Sequence, residues 1–211
     1  MMIKVLLVDD HDVVRSGLKR IIEEANDIRV VAEGANGSEA FAQFQRSSPD
    51  VIILDISMPI MDGLDTTKQI LTSCPNARII ILTMHPEHHY ATRALKAGAL
   101  GYITKKISSH ELHEAIRTVA TGRRYLSDTA EEAVISNLLN KTRGADLSDS
   151  LSDREFQVLC LLAQGKTAKE IAAELILSIK TIDTYRSRVM EKLDLHNTAD
   201  IVRFYYQNKL G

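Results

Sequence analysis

Short runs of consecutive apolar residues recur through the first 123 residues, and each is followed by a segment with apolar positions at helical spacing. Continuous runs of this length, without polar alternation, are typical of buried parallel strands. Strands that alternate with helices predict repeated β-α units. We therefore expect an α/β domain with a doubly wound, five-stranded parallel sheet. Its predicted strands are Val5–Val8, 29–32, 51–54, 79–82 and 101–104.

The pattern changes after residue 123. A helical segment is predicted over Ser127–Asn140, followed by a polar linker over Lys141–Ser150. From Leu151 onward strand-like runs are absent, and capping residues mark four short helices. The predicted organisation is a domain at 1–123, a helix and linker at 124–150, and a small all-α domain at 151–211. The predicted caps of that last domain are Ser152 with Glu155, Thr167 with Glu170, Ser178, and Asn197.

Composition sets few further bounds. A formal net charge of −2 does not indicate a polyanionic partner for the whole chain. The two cysteines, Cys74 and Cys160, lie far apart and outside any metal-binding spacing, which favours a reducing compartment. No stretch approaches the roughly 20 apolar residues of a membrane span, and no secretory signal pattern opens the chain. A cytoplasmic protein without a membrane partner is expected.

Polar side chains follow four of the predicted strands. Asp9 and Asp10 follow the first strand, Asp55 the third, Thr83 the fourth and Lys105 the fifth. Because parallel strands lie about 4.8 Å apart and their carboxyl ends share one sheet edge, these groups are expected to converge. Carboxylates suit Mg²⁺, and an aspartate can be a nucleophile toward phosphorus. The sequence therefore predicts a magnesium-dependent phosphoryl-transfer site.

The motifs VDDH, LDISMPIMDG, ILTMH and GYITKK resemble the receiver domain of bacterial two-component response regulators, over residues 3 to about 122. The resemblance implies a flavodoxin-like fold and phosphorylation of Asp55 by a sensor histidine kinase. It also implies that Mg²⁺ binds to Asp9, Asp10, Asp55 and the backbone carbonyl of Ser57. Thr83 and Lys105 would contact the acyl phosphate, and Tyr102 would be the aromatic switch residue. The alternative for Tyr102 is an ordinary half-buried strand aromatic.

Four histidines and one serine bear on competing functions. His11 adjoins the acidic pair, but Mg²⁺ prefers oxygen ligands. His85 occupies a position that resembles the family's modulator of acyl-phosphate hydrolysis, whereas a solvated loop is the simpler interpretation of His85, His88 and His89. A magnesium-dependent phosphatase with an aspartyl-phosphate intermediate commonly has a second acid two residues after its nucleophile. Ser57 stands there, so we do not expect an enzyme.

The segment from Leu151 has two helices joined by a turn near Ile176–Leu177, the layout of a helix-turn-helix. It contains 9 Lys or Arg and 8 Asp or Glu, so a protein-binding helical adaptor is an alternative. The segment resembles the LuxR-type DNA-binding domain, and the whole chain resembles the NarL/FixJ class. The resemblance implies a transcription regulator that binds double-stranded promoter half-sites as a homodimer, on phosphorylation or on DNA. The expected DNA-binding residues are Lys166, Lys169, Lys180, Thr181, Asp183, Thr184, Tyr185, Ser187 and Arg188.

Asp183 departs from the family pattern, which often has lysine or another hydrogen-bonding residue at that position. An aspartate accepts a hydrogen bond from cytosine N4 but is repelled by phosphate. The target sequence therefore does not follow from the resemblance.

Overall fold

A computed structural model describes residues 2–59, 61–84, 88–127, 130–132, 134–135, 150–208 and 210, without the side chains of 88 and 89. The described residues form two compact units. Those up to 132, except 88 and 89, belong to the first unit, and those from 134 onward belong to the second. Within the predicted 127–140 helix, 130–132 and 134–135 are helical. His85 and most of the 141–150 linker lie outside the described residues. The domain limits at 123 and 151 stay predictions.

The first unit is built on a parallel sheet with the strand order β2-β1-β3-β4-β5-β6. The apolar runs form its central strands because both faces are covered: the consecutive residues Leu6 and Leu7, whose side chains point to opposite faces, are each 0% exposed. The order places β1 beside β3, so the ends of these two strands are neighbours. The strands are β1 (Ile3–Val8), β2 (Ile28–Gly34), β3 (Val51–Asp55), β4 (Ile79–Thr83), β5 (Gly101–Thr104) and β6 (Tyr125–Leu126).

Five helices connect these strands, and local caps fix several of their starts. Asn36 accepts a hydrogen bond from the Glu39 N–H, and Ser108 forms a capping box with Glu111. These side chains satisfy N–H groups that have no partner within the helix. The helices are α1 (Asp12–Glu23), α2 (Gly37–Ser47), α3 (Gly63–Ser73), α4 (His88–Ala97) and α5 (Ser109–Ala120).

The predicted fold class is confirmed, but the prediction of five strands was wrong by one. After α5, Gly122 turns the chain at a φ of +83°, a conformation that glycine adopts without steric cost. The Tyr125 N–H then donates to the Leu100 carbonyl at 2.9 Å, and β6 pairs in parallel with β5. Two residues are too few to give a periodic pattern, so the sequence did not indicate this edge strand.

The described part of the second unit has the four predicted helices. All four predicted N-cap residues accept a hydrogen bond from a backbone N–H in the first helical turn. Between the second and third helices, Ile176 has a φ of +51°, which sharpens the turn of the helix-turn-helix. The helices are α6 (Asp153–Ala163), α7 (Ala168–Glu174), α8 (Ile179–Lys192) and α9 (Thr198–Gln207).

Glu155 joins two of these helices. Its carboxylate accepts from the Ser152 N–H at 2.8 Å and from Lys192 Nζ at 2.6 Å, with 4% of its side chain exposed. Burial raises the pKa of Glu155, but these hydrogen bonds outweigh burial and hold it below its ordinary 4.5. The stabilisation is thus present above pH 4.5 and is lost as pH falls through the folded-state pKa.

Glu155→Ala is expected to lower the free energy of unfolding by about 2 kcal/mol at pH 7, because it removes both the cap and the partner of Lys192. Urea unfolding followed by circular dichroism measures the loss, which should shrink as the pH falls through the lowered pKa of Glu155. Glu170→Ala is the matched control, since Glu170 makes the same capping box with Thr167 but is itself exposed. A loss no larger than that of the control at pH 7 would contradict this role.

Candidate functional site

The predicted acidic residues converge at the carboxyl edge of the sheet. Ligand atoms of Asp9, Asp10, His11 and Asp55 all lie within 4.8 Å of one another. The pairing of β1 with β3 brings them together, since Val8 is in register with Leu54 and the acids follow directly. Asp9 and Asp55 are buried, and the Asp10 side chain is 13% exposed.

Lys105 bridges two of these carboxylates. Its ammonium lies 2.6 Å from Asp55 Oδ2 and 2.7 Å from Asp9 Oδ2, with 6% of its side chain exposed. Its backbone N–H donates to the Thr83 carbonyl at 2.7 Å, which ties the end of β5 to that of β4. The Thr83 side chain is completely buried. The structure thus brings together Asp9, Asp10, Asp55, Thr83 and Lys105, as the sequence predicted.

Burial and charge oppose each other at this site. Burial raises the pKa of Asp55, with Asp9 adding to it, although the Lys105 ammonium works in the opposite direction. Burial lowers the pKa of Lys105, but its ion pairs with Asp55 and Asp9 outweigh burial and raise it. Lys105 is therefore charged at neutral pH. One ammonium beside three carboxylates leaves an excess of negative charge, which favours binding of a cation.

Two carboxylate oxygens fit such a cation. Asp9 Oδ2 and Asp10 Oδ1 are buried and have no hydrogen-bond partner. Asp9 Oδ2 forms an ion pair with Lys105 Nζ at 2.7 Å. Burial of charged oxygens is costly, and a divalent cation with oxygen ligands would offset that cost. His11 Nδ1 lies 2.9 Å from Asp10 Oδ1 and is largely exposed.

Two further residues shape the site and were not predicted from sequence. Arg15 donates from Nη1 to the Asp9 carbonyl at 2.6 Å. Gly63 donates to the Ile56 carbonyl at 3.0 Å, and a Cβ at Gly63 would lie 2.2 Å from the Asp55 carbonyl oxygen. Asp62-Gly63, at the end of the LDISMPIMDG motif, is a turn signal, but the sequence does not indicate that Gly63 approaches the Asp55 backbone.

The remaining predicted receiver residues have defined positions. Tyr102 is 1% exposed, so its ring is fully buried rather than half-buried. The Ser57 N–H lies 3.4 Å from Asp55 Oδ1. The predicted metal contact of the Ser57 carbonyl and the switch role of Tyr102 stay predictions. His85 and the side chains of His88 and His89 lie outside the described residues.

The predicted DNA-binding residues lie mostly on one helix. The side of α8 that contains Ile182 and Val189 is buried, both residues being 0% exposed. Lys180, Thr184, Ser187 and Arg188 are exposed, whereas Thr181, Asp183 and Tyr185 are partly exposed. The exposed side of α8 therefore carries the predicted contacts.

Two predicted lysines lie near α7. Lys169 is exposed in its first turn, whereas Lys166 precedes the helix and forms an ion pair with Glu174. Contact with DNA by Lys166 would compete with this ion pair. Its role, like that of the other predicted DNA contacts, stays a prediction.

Comparison with known proteins assigns both units. Residues 5–117 match the response regulator receiver domain, and residues 149–205 match the bacterial regulatory proteins of the luxR family. The chain is 37% identical to the response regulator UvrY of Escherichia coli K12 over 99% of this chain and 96% of UvrY. It is 38% identical to the transcriptional regulatory protein LiaR of Bacillus subtilis 168 over 99% of both chains.

A solved complex of the two-component response regulator RcsB with DNA has a TM-score of 0.61 and 26% identity, and the match covers 98% of both chains. A receiver domain and a LuxR-type helix-turn-helix in one chain define a DNA-binding transcriptional response regulator. This chain belongs to the two-component response regulators of the NarL/FixJ class.

Proposed function

We propose that this regulator is phosphorylated on Asp55 by a sensor histidine kinase in a Mg²⁺-dependent reaction, and that phosphorylation raises its affinity for DNA. The observation that carries the proposal is the Lys105 ammonium, 2.6 Å from Asp55 Oδ2, beside the buried carboxylate oxygens Asp9 Oδ2 and Asp10 Oδ1. This arrangement supplies a nucleophile, a fixed positive charge and oxygen ligands for a divalent cation. Asp9, Asp10, Asp55 and the Ser57 carbonyl would hold Mg²⁺.

In the transfer step, a carboxylate oxygen of Asp55 attacks the phosphorus of a phosphohistidine. A P–O bond forms while the P–N bond breaks, and the electron pair stays with the ring, which takes up one proton and leaves as neutral imidazole. Mg²⁺ held by the acidic residues of the site would supply positive charge next to the transferred group. Lys105 passes from the Asp55 carboxylate to a phosphoryl oxygen, and the Thr83 hydroxyl donates to another. Phosphoryl transfer needs mainly such positioning and charge neutralisation.

A phosphatase function is less well supported by the described residues. Hydrolysis of a substrate through an aspartyl phosphate needs an acid that protonates the leaving group, and Ser57 stands two residues after Asp55. The neighbouring acids Asp9 and Asp10 are committed to the proposed cation. We infer that the chain is a regulator rather than an enzyme.

Removal of the cation is expected to stop phosphorylation. Excess chelator or Asp10→Ala should reduce labelling by acetyl phosphate by roughly 100-fold. The chelator removes the ion itself, and Asp10→Ala removes one of its oxygen ligands. Mass spectrometry of the intact protein measures the added phosphoryl group. Asp65→Ala is the matched control and should label normally, since the Asp65 side chain is 52% exposed and pairs with Lys68, outside the site. Full labelling in excess chelator would exclude the metal role.

We further propose that α8 enters the major groove of promoter DNA. In a helix-turn-helix, the early residues of the second helix meet base edges, while basic residues and helix N-termini contact phosphates. Lys180 and Arg188 supply positive charge on the exposed side of α8, and Thr184 and Tyr185 lie between them in sequence. The RcsB–DNA complex supports this role for the domain.

Substitutions on α8 should separate affinity from sequence preference. Lys180→Ala or Arg188→Ala is expected to weaken binding to all sequences by about the same factor and to flatten its salt dependence. Thr184→Ala or Tyr185→Ala should instead change which sequence is preferred. Fluorescence anisotropy with matched duplexes at several salt concentrations measures both effects. Unchanged affinity and preference in all four variants would contradict the interface.

In this proposal, phosphorylation stabilises one of two receiver states relative to the other. The favoured state changes which surfaces are available for dimerisation and for binding to DNA. A homodimer formed on phosphorylation or on DNA would engage two half-sites, and the second contact would gain from effective concentration.

No helix in the described part of the chain is long and apolar enough to cross a membrane. A cytoplasmic location is part of this proposal, because the proposed targets are a kinase domain and promoter DNA.

A further inference from the structure

Asp183 is an acidic residue on the helix that is proposed to bind DNA. It is the fifth residue of α8 and follows Ile182, which is fully buried. Its side chain is 47% exposed, so the carboxylate is accessible to a ligand. An acid in this position is repelled by every phosphate it approaches. It therefore lowers the affinity for DNA of any sequence, and a favourable contact that compensates for this loss must be made with a base.

The hydrogen-bonding capacity of a carboxylate restricts that base. An ionised aspartate only accepts hydrogen bonds. In the major groove, guanine presents two acceptors, and thymine presents an acceptor and a methyl group. Adenine places its N7 acceptor beside its N6 amino donor, and that acceptor repels a carboxylate. Cytosine presents the N4 amino donor, which makes it the base that an aspartate matches best.

The Asp183 carboxylate is also oriented. Arg186 Nη2 lies 3.2 Å from Asp183 Oδ1, one helical turn further along α8. This contact engages one carboxylate oxygen and leaves Oδ2 for a further donor. A side chain that is already held loses less conformational entropy when it binds.

We propose that Asp183 selects cytosine at one position of each DNA half-site. The proposal rests on the DNA-binding function proposed above for α8, and it names a base that this helix recognises. Lys180 and Arg188 then supply affinity for any sequence, while Asp183 gives up part of that affinity in exchange for discrimination. Loss of the Asp183 carboxylate should therefore raise the affinity for DNA of any sequence and lower the preference for cytosine.

The test uses the phosphorylated full-length protein. Selection from randomised duplexes gives the preferred half-site of the wild type, and each position is then replaced by the other three bases. At one position the wild type should favour cytosine by about 5- to 100-fold. Asp183→Ala should reduce that preference to below about 2-fold and bind non-cognate duplexes more tightly. Asp183→Asn should favour adenine there, because an amide pairs with both adenine N6 and N7.

Two controls isolate the proposed contact. Asp194→Asn removes the same charge just after α8, at a φ of +52° that asparagine tolerates, and it should keep the cytosine preference. A duplex in which that cytosine is replaced by an analogue without the 4-amino group should weaken wild-type binding and leave Asp183→Ala unchanged. Identical base preferences in the wild type and Asp183→Ala would overturn this inference but not the proposed DNA-binding function of α8. Absence of any DNA binding would overturn the proposed function of α8 as well.

Discussion

Asp55→Asn should gain no phosphoryl group when it is incubated with acetyl phosphate and Mg²⁺, which means labelling at least roughly 1,000-fold below that of the wild type. The amide keeps the size of the carboxylate but lacks the nucleophilic oxygen. Because the proposed switch acts through this group, the variant should also lose any phosphate-dependent gain in DNA affinity. Intact-mass spectrometry and fluorescence anisotropy measure the two effects on the same samples.

Asp65→Asn is the matched control for this experiment. Asp65 lies in the first turn of α3, with its side chain 52% exposed and paired with Lys68 at 3.3 Å. It should label like the wild type and show the same gain in DNA affinity. Labelling of Asp55→Asn at the wild-type level would place the phosphoacceptor elsewhere. If Asp55→Asn loses labelling but still gains DNA affinity after treatment with acetyl phosphate, the phosphoacceptor assignment would stand and the proposed coupling to DNA binding would be refuted.

Gly63→Ala should destabilise the receiver domain by about 3 kcal/mol, the upper range for a side chain forced into a packed site. The new Cβ would lie 2.2 Å from the Asp55 carbonyl oxygen and 2.9 Å from its carbonyl carbon. Both atoms belong to the backbone, so the overlap forces the loop before α3 or the end of β3 to move. Labelling of the folded fraction should also fall, because the Asp55 backbone is displaced.

Gly17→Ala provides the opposite result in the same domain. A Cβ at Gly17, in the interior of α1, would meet nothing within 4 Å. Alanine there should stabilise the domain by about 0.5–1 kcal/mol, since it reduces the conformational freedom of the unfolded chain. Urea unfolding followed by circular dichroism compares the two variants. Equal stability of Gly63→Ala and the wild type would mean that the loop is not closed on Asp55.

Local features of the sequence were sufficient for most of the elements and for the convergence of the acidic residues with Lys105. Uninterrupted apolar runs indicated strands that are buried on both faces, and Ser152, Thr167, Ser178 and Asn197 indicated helix starts, because a cap acts within one turn. The convergence of Asp9, Asp55 and Lys105 followed from the rule that parallel strands share a carboxyl edge. These inferences need only periodicity and strand direction.

Tertiary structure decided the features that depend on close approach between distant residues. The position of Lys105 between two carboxylates and the approach of Gly63 to the Asp55 carbonyl depend on side-chain placement across separate strands and loops. The sixth strand depends on the free edge of β5, which offers backbone partners to a two-residue segment that has no periodic signal of its own. Residue patterns specify which groups are present and which way each element runs, but distances of 2 to 3 Å are set by the packing of the whole domain.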